Sequence, residues 1–127
     1  MASSPPASDR ETASRPGRIL VCHGPELALE DEDGVVHRCV SRRQVEALVC
    51  GDRVRWCPTS SGEGVVTALE PRHGLLSRPD YSGRDKPLAA NLSLLLIVIA
   101  AEPAPSRYLI DQYLVTAERA GLKALIL

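Results

Sequence analysis

Ten residues, Leu92–Ala101 (Leu-Ser-Leu-Leu-Leu-Ile-Val-Ile-Ala-Ala), carry one polar side chain, Ser93. The run is about half the ~20 residues that cross a bilayer. A strand apolar on both faces belongs in the middle of a parallel sheet covered by helices on both sides. Pro103 and Pro105 then break the chain, and Ser106 offers a hydroxyl to cap a helix. Leu109, Ile110, Tyr113, Leu114 and Ala117 recur on one helical face, with Arg107, Asp111, Gln112, Glu118 and Arg119 largely opposite. Gly121 is a helix stop, and Lys123–Leu127 reads as a second buried strand. One βαβ unit cannot cover two such strands. Residues 92–127 are therefore expected to be the opening part of a larger α/β domain.

The chain before Arg72 has a different period. Arg18–His23 is β-prone and ends at Gly24-Pro25. Leu27 and Leu29 alternate with Ala28 and Glu30, and Asp33-Gly34 marks a hairpin turn. Val35–Val40 returns, with Val36 and Arg38 on one face and His37 and Cys39 on the other. A short helical turn is expected over Ser41–Val49. Arg53-Val54-Arg55-Trp56 alternates strictly, which points Val54 and Trp56 inward, and Val65–Glu70 closes the set. Five short strands in so few residues suit a mainly β fold, a five-stranded OB-type barrel over residues 18–71, because closure removes exposed edges.

Residues 72–91 hold two prolines, two glycines and no clear period, and are expected to be a linker. Arg72, Arg78, Arg84 and Lys86 against Asp80 and Asp85 make the linker basic, although the whole chain is formally −1. Residues 1–17 are rich in Ser, Pro and Ala and are expected to be a disordered tail. No signal-peptide pattern is present, which points to the cytoplasm. Cys22, Cys39, Cys50 and Cys57 lack C-x-x-C spacing, so they are expected to be buried or half-buried reduced thiols rather than zinc ligands.

Several strings together resemble a known family. They are Gly17-Arg18-Ile19-Leu20, the acidic hairpin through Gly34, Gly51-Asp52-Arg53-Val54, Leu75-Leu76-Ser77-Arg78-Pro79, Lys86-Pro87-Leu88-Ala89-Ala90-Asn91, and Leu109-Ile110-Asp111-Gln112-Tyr113-Leu114-Val115 followed by Glu118. Over Gly17–Leu127 the chain is similar to the N-terminal part of the bacterial ribosome small-subunit-dependent GTPase A family, whose members are circularly permuted GTPases of small-subunit maturation. The resemblance implies an OB-fold domain that binds ribosomal RNA, then the start of a permuted, P-loop-type G domain. It also implies GTP with Mg²⁺ as the family's ligand, a structural zinc in a C-terminal domain, and 16S-type RNA of the small ribosomal subunit as partner, with no membrane and no DNA.

Two signatures of nucleotide chemistry are not in these 127 residues. G-x-x-x-x-G-K-[ST] needs a lysine after glycine, but Lys86 and Lys123 follow Asp85 and Leu122. The guanine-specifying Asn-Lys-x-Asp does not occur either. The expectation is a chain truncated before the nucleotide motifs, with no catalytic, nucleotide-binding or metal residues of its own.

The candidate site residues are basic. Arg38, Arg42, Arg43, Arg53 and Arg55 outnumber Glu46 and Asp52 between positions 38 and 55. They are read either as phosphate contacts to RNA or as a solvated barrel face. Arg72, Arg78, Arg84 and Lys86 are read as RNA contacts or as a polar, domain-docking linker. His23, His37 and His73 have no carboxylate or nucleophile at an interpretable spacing. Trp56 is read as barrel core, Asp111 as structural, and the run Glu30–Asp33 as a solvated turn. The alternative function is a free-standing OB-type RNA- or protein-interaction module without a link to GTP.

Overall fold

A computed structural model describes residues 14–127. Most of the expected tail, residues 1–13, lies outside the described residues. The chain divides after Pro71 into two compact units.

The first unit is a closed barrel. Its strands are β1 (Arg15–His23), β2 (Glu26–Glu30), β3 (Val36–Ser41), β4 (Arg53–Pro58) and β5 (Gly64–Leu69), in the order β1-β2-β3-β5-β4. Only β3 and β5 run parallel; the other pairs are antiparallel. This is the OB-type barrel expected from the sequence. β1 starts at Arg15, inside the stretch read as tail, because Arg15–Arg18 pair with Arg53–Trp56 of β4. The Ser/Pro-rich composition hid that pairing, since its partner lies some forty positions away. β1 also serves β2 through an irregularity at Leu20, and so it bends to close the barrel.

Alternation fills the interior as expected. Ile19, Leu27, Leu29, Cys39, Val54, Trp56 and Val66 form one buried cluster, flanked by Val45, Leu48 and Leu69. The segment expected to be a short helical turn makes a single hydrogen-bonded turn, closed by Val45 N–H to Arg42 O (3.1 Å), and no helix. The fully buried Asp52 accounts for this: its Oδ2 accepts from Val49 N–H (2.8 Å). The backbone on either side is held to β1 through Ile19 N–H to Asp52 O and Gly51 N–H to Ile19 O. Cys39 is buried and Cys57 half-buried, but Cys22 and Cys50 are exposed, against expectation. Cys22 lies past the irregularity in β1, where the alternation that buries Ile19 no longer holds.

In the second unit, the expected linker contains a hairpin. β6 (Leu76–Pro79) pairs antiparallel with β7 (Asp85–Ala89). Pro79 and Pro87 read as strand breakers, yet a two-stranded ribbon has an open edge on each strand, where a missing N–H loses no ladder bond. β8 (Leu94–Ile97) and β9 (Lys123–Ile126) pair parallel, joined by α1 (Arg107–Arg119). Ser106 caps α1, and Gly121 at φ +70 ends it, with Leu122 N–H on Ala117 O (2.8 Å) and Gly121 N–H on Glu118 O (3.2 Å). Ile97, Ala117 and Leu122 are buried, while Leu94, Leu96, Leu109 and Tyr113 remain about half exposed. Two strands are only ~5 Å apart, so one helix against them covers a single stripe. No helix among the described residues is long and apolar enough to cross a membrane.

Candidate RNA-binding surface

The barrel brings part of the expected basic set together. Arg42 and Arg43 follow the end of β3, and Arg42 N–H donates to Val66 O of β5 (3.2 Å). Across β5, Val54 stands opposite Leu69, and Glu70 N–H donates to Arg53 O (2.8 Å). The ends of β3 and β5 and the start of β4 thus lie toward one end of the barrel, with Arg42 level with Val66 and Arg53 level with Glu70, four positions further on. Arg42, Arg43 and Arg53 are all exposed. Arg38 is exposed as well, four residues back along β3 and opposite Ala28 of β2.

Arg55 differs from the others. It is half-buried, and its guanidinium donates to Ser14 O (2.7 Å) and Ser14 Oγ (3.1 and 3.2 Å). That fork ties the start of β1 to β4, so this arginine serves the barrel's closure. Arg18 was missed by the sequence reading. It stands in register with Arg53 and pairs with Glu30 (3.0 Å). Only the β1–β4 ladder reveals it, because the two arginines are far apart in sequence.

His37 does have a carboxylate partner, contrary to the sequence reading. Its Nε2 lies 2.7 Å from Asp31 Oδ2, and its ring lies 4.6 Å from that of Trp56. Asp31 Oδ1 also accepts from Asp33 and Val35 N–H (2.9 Å each). The His37 hydrogen bond, then these amides, hold the Asp31 carboxyl below the usual carboxylate range. The pair pins the β2–β3 turn to the barrel.

In the second unit, Arg72 is half-buried, while Arg78, Arg84 and Lys86 are exposed on the hairpin. Arg78 and Lys86 are direct cross-strand partners. Between the hairpin and α1 runs an open groove of about 580 Å³, lined by Leu76, Arg78, Leu88, Tyr108 and Tyr113 among others; the exposed Asp111 stands along it.

The described residues do not fit the nucleotide or the zinc implied by the resemblance. No three His, Cys, Asp or Glu side chains among them converge as a ligand set. The one helix among the described residues follows Pro105-Ser106, and its first-turn amide at Leu109 is already taken by Ser106 Oγ, so it opens from no glycine-rich phosphate loop.

Residues 69–127 match the family model described as RsgA GTPase. The small ribosomal subunit biogenesis GTPase RsgA of Chromohalobacter salexigens is 48% identical over 112 residues, covering 85% of this chain and 33% of that protein. The protein of the same name from Hahella chejuensis is 42% identical over 120 residues, covering 91% of this chain and 34% of its own length. The chain thus spans about a third of the length of these curated relatives. Among solved structures, YjeQ from Thermotoga maritima superposes with a TM-score of 0.66 at 28% identity, over 89% of this chain and 40% of that one. YloQ, a circularly permuted GTPase, gives 0.65 at 24% identity over 89% and 39%, a likeness of fold.

Proposed function

The chain resembles the N-terminal part of the RsgA GTPase family, and on that premise we propose that it is the module through which such a protein grips the RNA of the small ribosomal subunit in the cytoplasm. The observation that supports the reading is the grouping of exposed Arg42, Arg43 and Arg53 toward one end of a closed barrel, with Arg38 along the same wall. Arginines spaced along a rigid surface suit phosphate contact, which positions a protein on RNA by shape and charge without reading sequence. The hairpin cations Arg78, Arg84 and Lys86 extend the basic set, and Arg72 belongs with it by position in the sequence.

For the whole protein, the relatives' name points to GTP hydrolysis in small-subunit biogenesis. GTP–Mg²⁺ and zinc are assigned to no residue of this chain, and the 127 residues alone are expected to hydrolyse no GTP. Saturable micromolar binding of a fluorescent GDP by this chain would overturn that assignment.

The test of RNA binding is affinity for small-subunit RNA between about 50 and 200 mM salt. Each phosphate contact contributes roughly 0.7 to 0.9 to the log–log slope. Replacing Arg38, Arg42, Arg43 and Arg53 with Ala should flatten the slope by about three units. An unchanged slope in the quadruple variant sinks the barrel assignment.

A further inference from the structure

The β6–β7 turn is the third of three turns built to one plan. In the first, Asp31 N–H donates to Val35 O (2.9 Å), Gly34 N–H donates to Asp31 O (3.1 Å), and Gly34 has φ +80. In the second, Thr59 N–H donates to Glu63 O (2.7 Å), Gly62 N–H donates to Thr59 O (3.2 Å), and Gly62 has φ +85. In the third, Asp80 N–H donates to Arg84 O (2.7 Å), Gly83 N–H donates to Asp80 O (3.0 Å), and Gly83 has φ +81. The two middle positions hold Glu32-Asp33, Ser60-Ser61 and Tyr81-Ser82. The frame accepts an acid or a serine at the first of these, so folding does not ask for an aromatic ring there.

Tyr81 nevertheless occupies it, at 112% relative exposure, in a chain with three Tyr, one Trp and no Phe. The ring packs on nothing, and its support is rigid. Asp80 Oδ1 accepts from Ser82 N–H (2.8 Å), Ser82 O–H (2.7 Å) and Arg84 N–H (3.0 Å). On a pre-ordered turn only the ring's own rotamer freedom is left to lose when it finds a partner.

The charges on the same hairpin are only partly matched. Arg78 and Lys86 face each other directly across the ladder; neither makes an ion pair within 4 Å of a described carboxylate, and Lys86 acts on the Asp80 carboxyl only through space. Like charges directly opposite destabilise a ribbon that is already marginal. A phosphate between them reverses the sign of that interaction. Single-stranded RNA offers both a base face for the ring and phosphates for the cations in one repeating unit, whereas a protein would need an acidic patch set beside a pocket for the ring.

We propose that Tyr81 is a base-stacking residue, presented by the β6–β7 hairpin to an unpaired nucleobase of RNA while Arg78, Arg84 and Lys86 hold the adjoining phosphates. This deepens the RNA-binding reading and rests on it. The stack supplies a preference for unpaired RNA that the barrel arginines cannot supply, because phosphates are present in every RNA.

The test uses the 127-residue chain with two labelled probes of equal length: an unstructured RNA oligonucleotide and an abasic ribose-phosphate analogue. The wild type should bind the RNA about tenfold more tightly than the abasic probe, within the range for loss of one stacking aromatic. Tyr81→Phe should keep that preference, and Tyr81→Ala should abolish it without changing Tm. The double variant Arg78→Ala/Lys86→Ala should weaken both probes alike. If Tyr81→Ala keeps the wild-type preference while the double variant weakens both probes, stacking is overturned and RNA binding stands. Binding of neither probe by the wild type overturns both. Loss of affinity for whole small subunits without any change toward the oligonucleotide would assign the ring to a ribosomal protein and overturn stacking.

Discussion

Gly64 of β5 lies against the indole of Trp56 on β4: a Cβ placed on Gly64 would stand 2.8 Å from Trp56 Cε3 and 2.6 Å from Cys39 Sγ. On β1, a Cβ on Gly17 would stand 2.9 Å from Trp56 Cδ1 and 2.7 Å from Leu29 Cδ2. The largest core side chain is thus seated between two backbones that approach it closely because they carry no side chain. Its Nε1–H donates to Pro16 O (3.2 Å), so the polar edge of the ring is satisfied as well.

Gly64→Ala should therefore destabilise the barrel by about 1–3 kcal/mol, the cost of overpacking a filled core. Gly17→Ala should cost a similar amount, because its Cβ would stand within 3.0 Å of Leu29 Cδ2, Leu29 Cγ and Trp56 Cδ1, and both side chains are buried. Urea denaturation of both variants checks this. Equal midpoints for Gly64→Ala and wild type would show that the indole can move aside.

Asp52 is fully buried and accepts from Val49 N–H. Asp52→Ala leaves that amide without its acceptor and should cost about 1–3 kcal/mol. Asp52→Asn keeps an oxygen at the same reach and should recover part of the loss. Urea midpoints for the two variants should differ in that order, and coincident midpoints would remove the hydrogen bond from the account.

The Ser82 hydroxyl, then the Arg84 amide, hold the Asp80 carboxyl below its ordinary range. The folded pKa is depressed, so this stabilisation is fully present above the unfolded value of about 3.9 and is lost as pH falls through the folded value. The Ser82 and Arg84 amide resonances should shift together only below pH ~4. Ser82→Ala should move that transition to higher pH. A transition at the same pH in both proteins would remove Ser82 as the cause.

Arg55 is set apart from the exposed arginines by its contacts with Ser14. Because its guanidinium is occupied by Ser14, Arg55→Ala should leave the salt slope of RNA binding unchanged and lower Tm. Hydrogen exchange along Arg15–Arg18 should quicken. A flattened slope without loss of Tm would return Arg55 to the RNA surface.

The sequence was most informative where one rule acts alone. Strict alternation in Arg53-Val54-Arg55-Trp56 placed Val54 and Trp56 inside. Ser106 and Gly121 marked the ends of α1 correctly, since each cap is a local hydrogen bond or a local φ. Prolines misled the reading of residues 72–91, although Asp80-x-x-Gly83 repeats the Asp31-x-x-Gly34 spacing of the first hairpin, whose turn was read from Asp33-Gly34. That repeat was the available clue to the third hairpin and to the exposed ring it carries.

By itself the sequence determined the five short strands, the βαβ unit and the family resemblance, because period, caps and motif strings are properties of neighbouring residues. The tertiary structure decided which arginines are available. Arg18 and Arg53 became neighbours, Arg55 was spent on Ser14, and Arg78 was set against Lys86 through ladders joining distant positions. A charge count along the chain cannot see this: a guanidinium's role depends on what stands within hydrogen-bonding reach, and barrel closure and strand register set that distance.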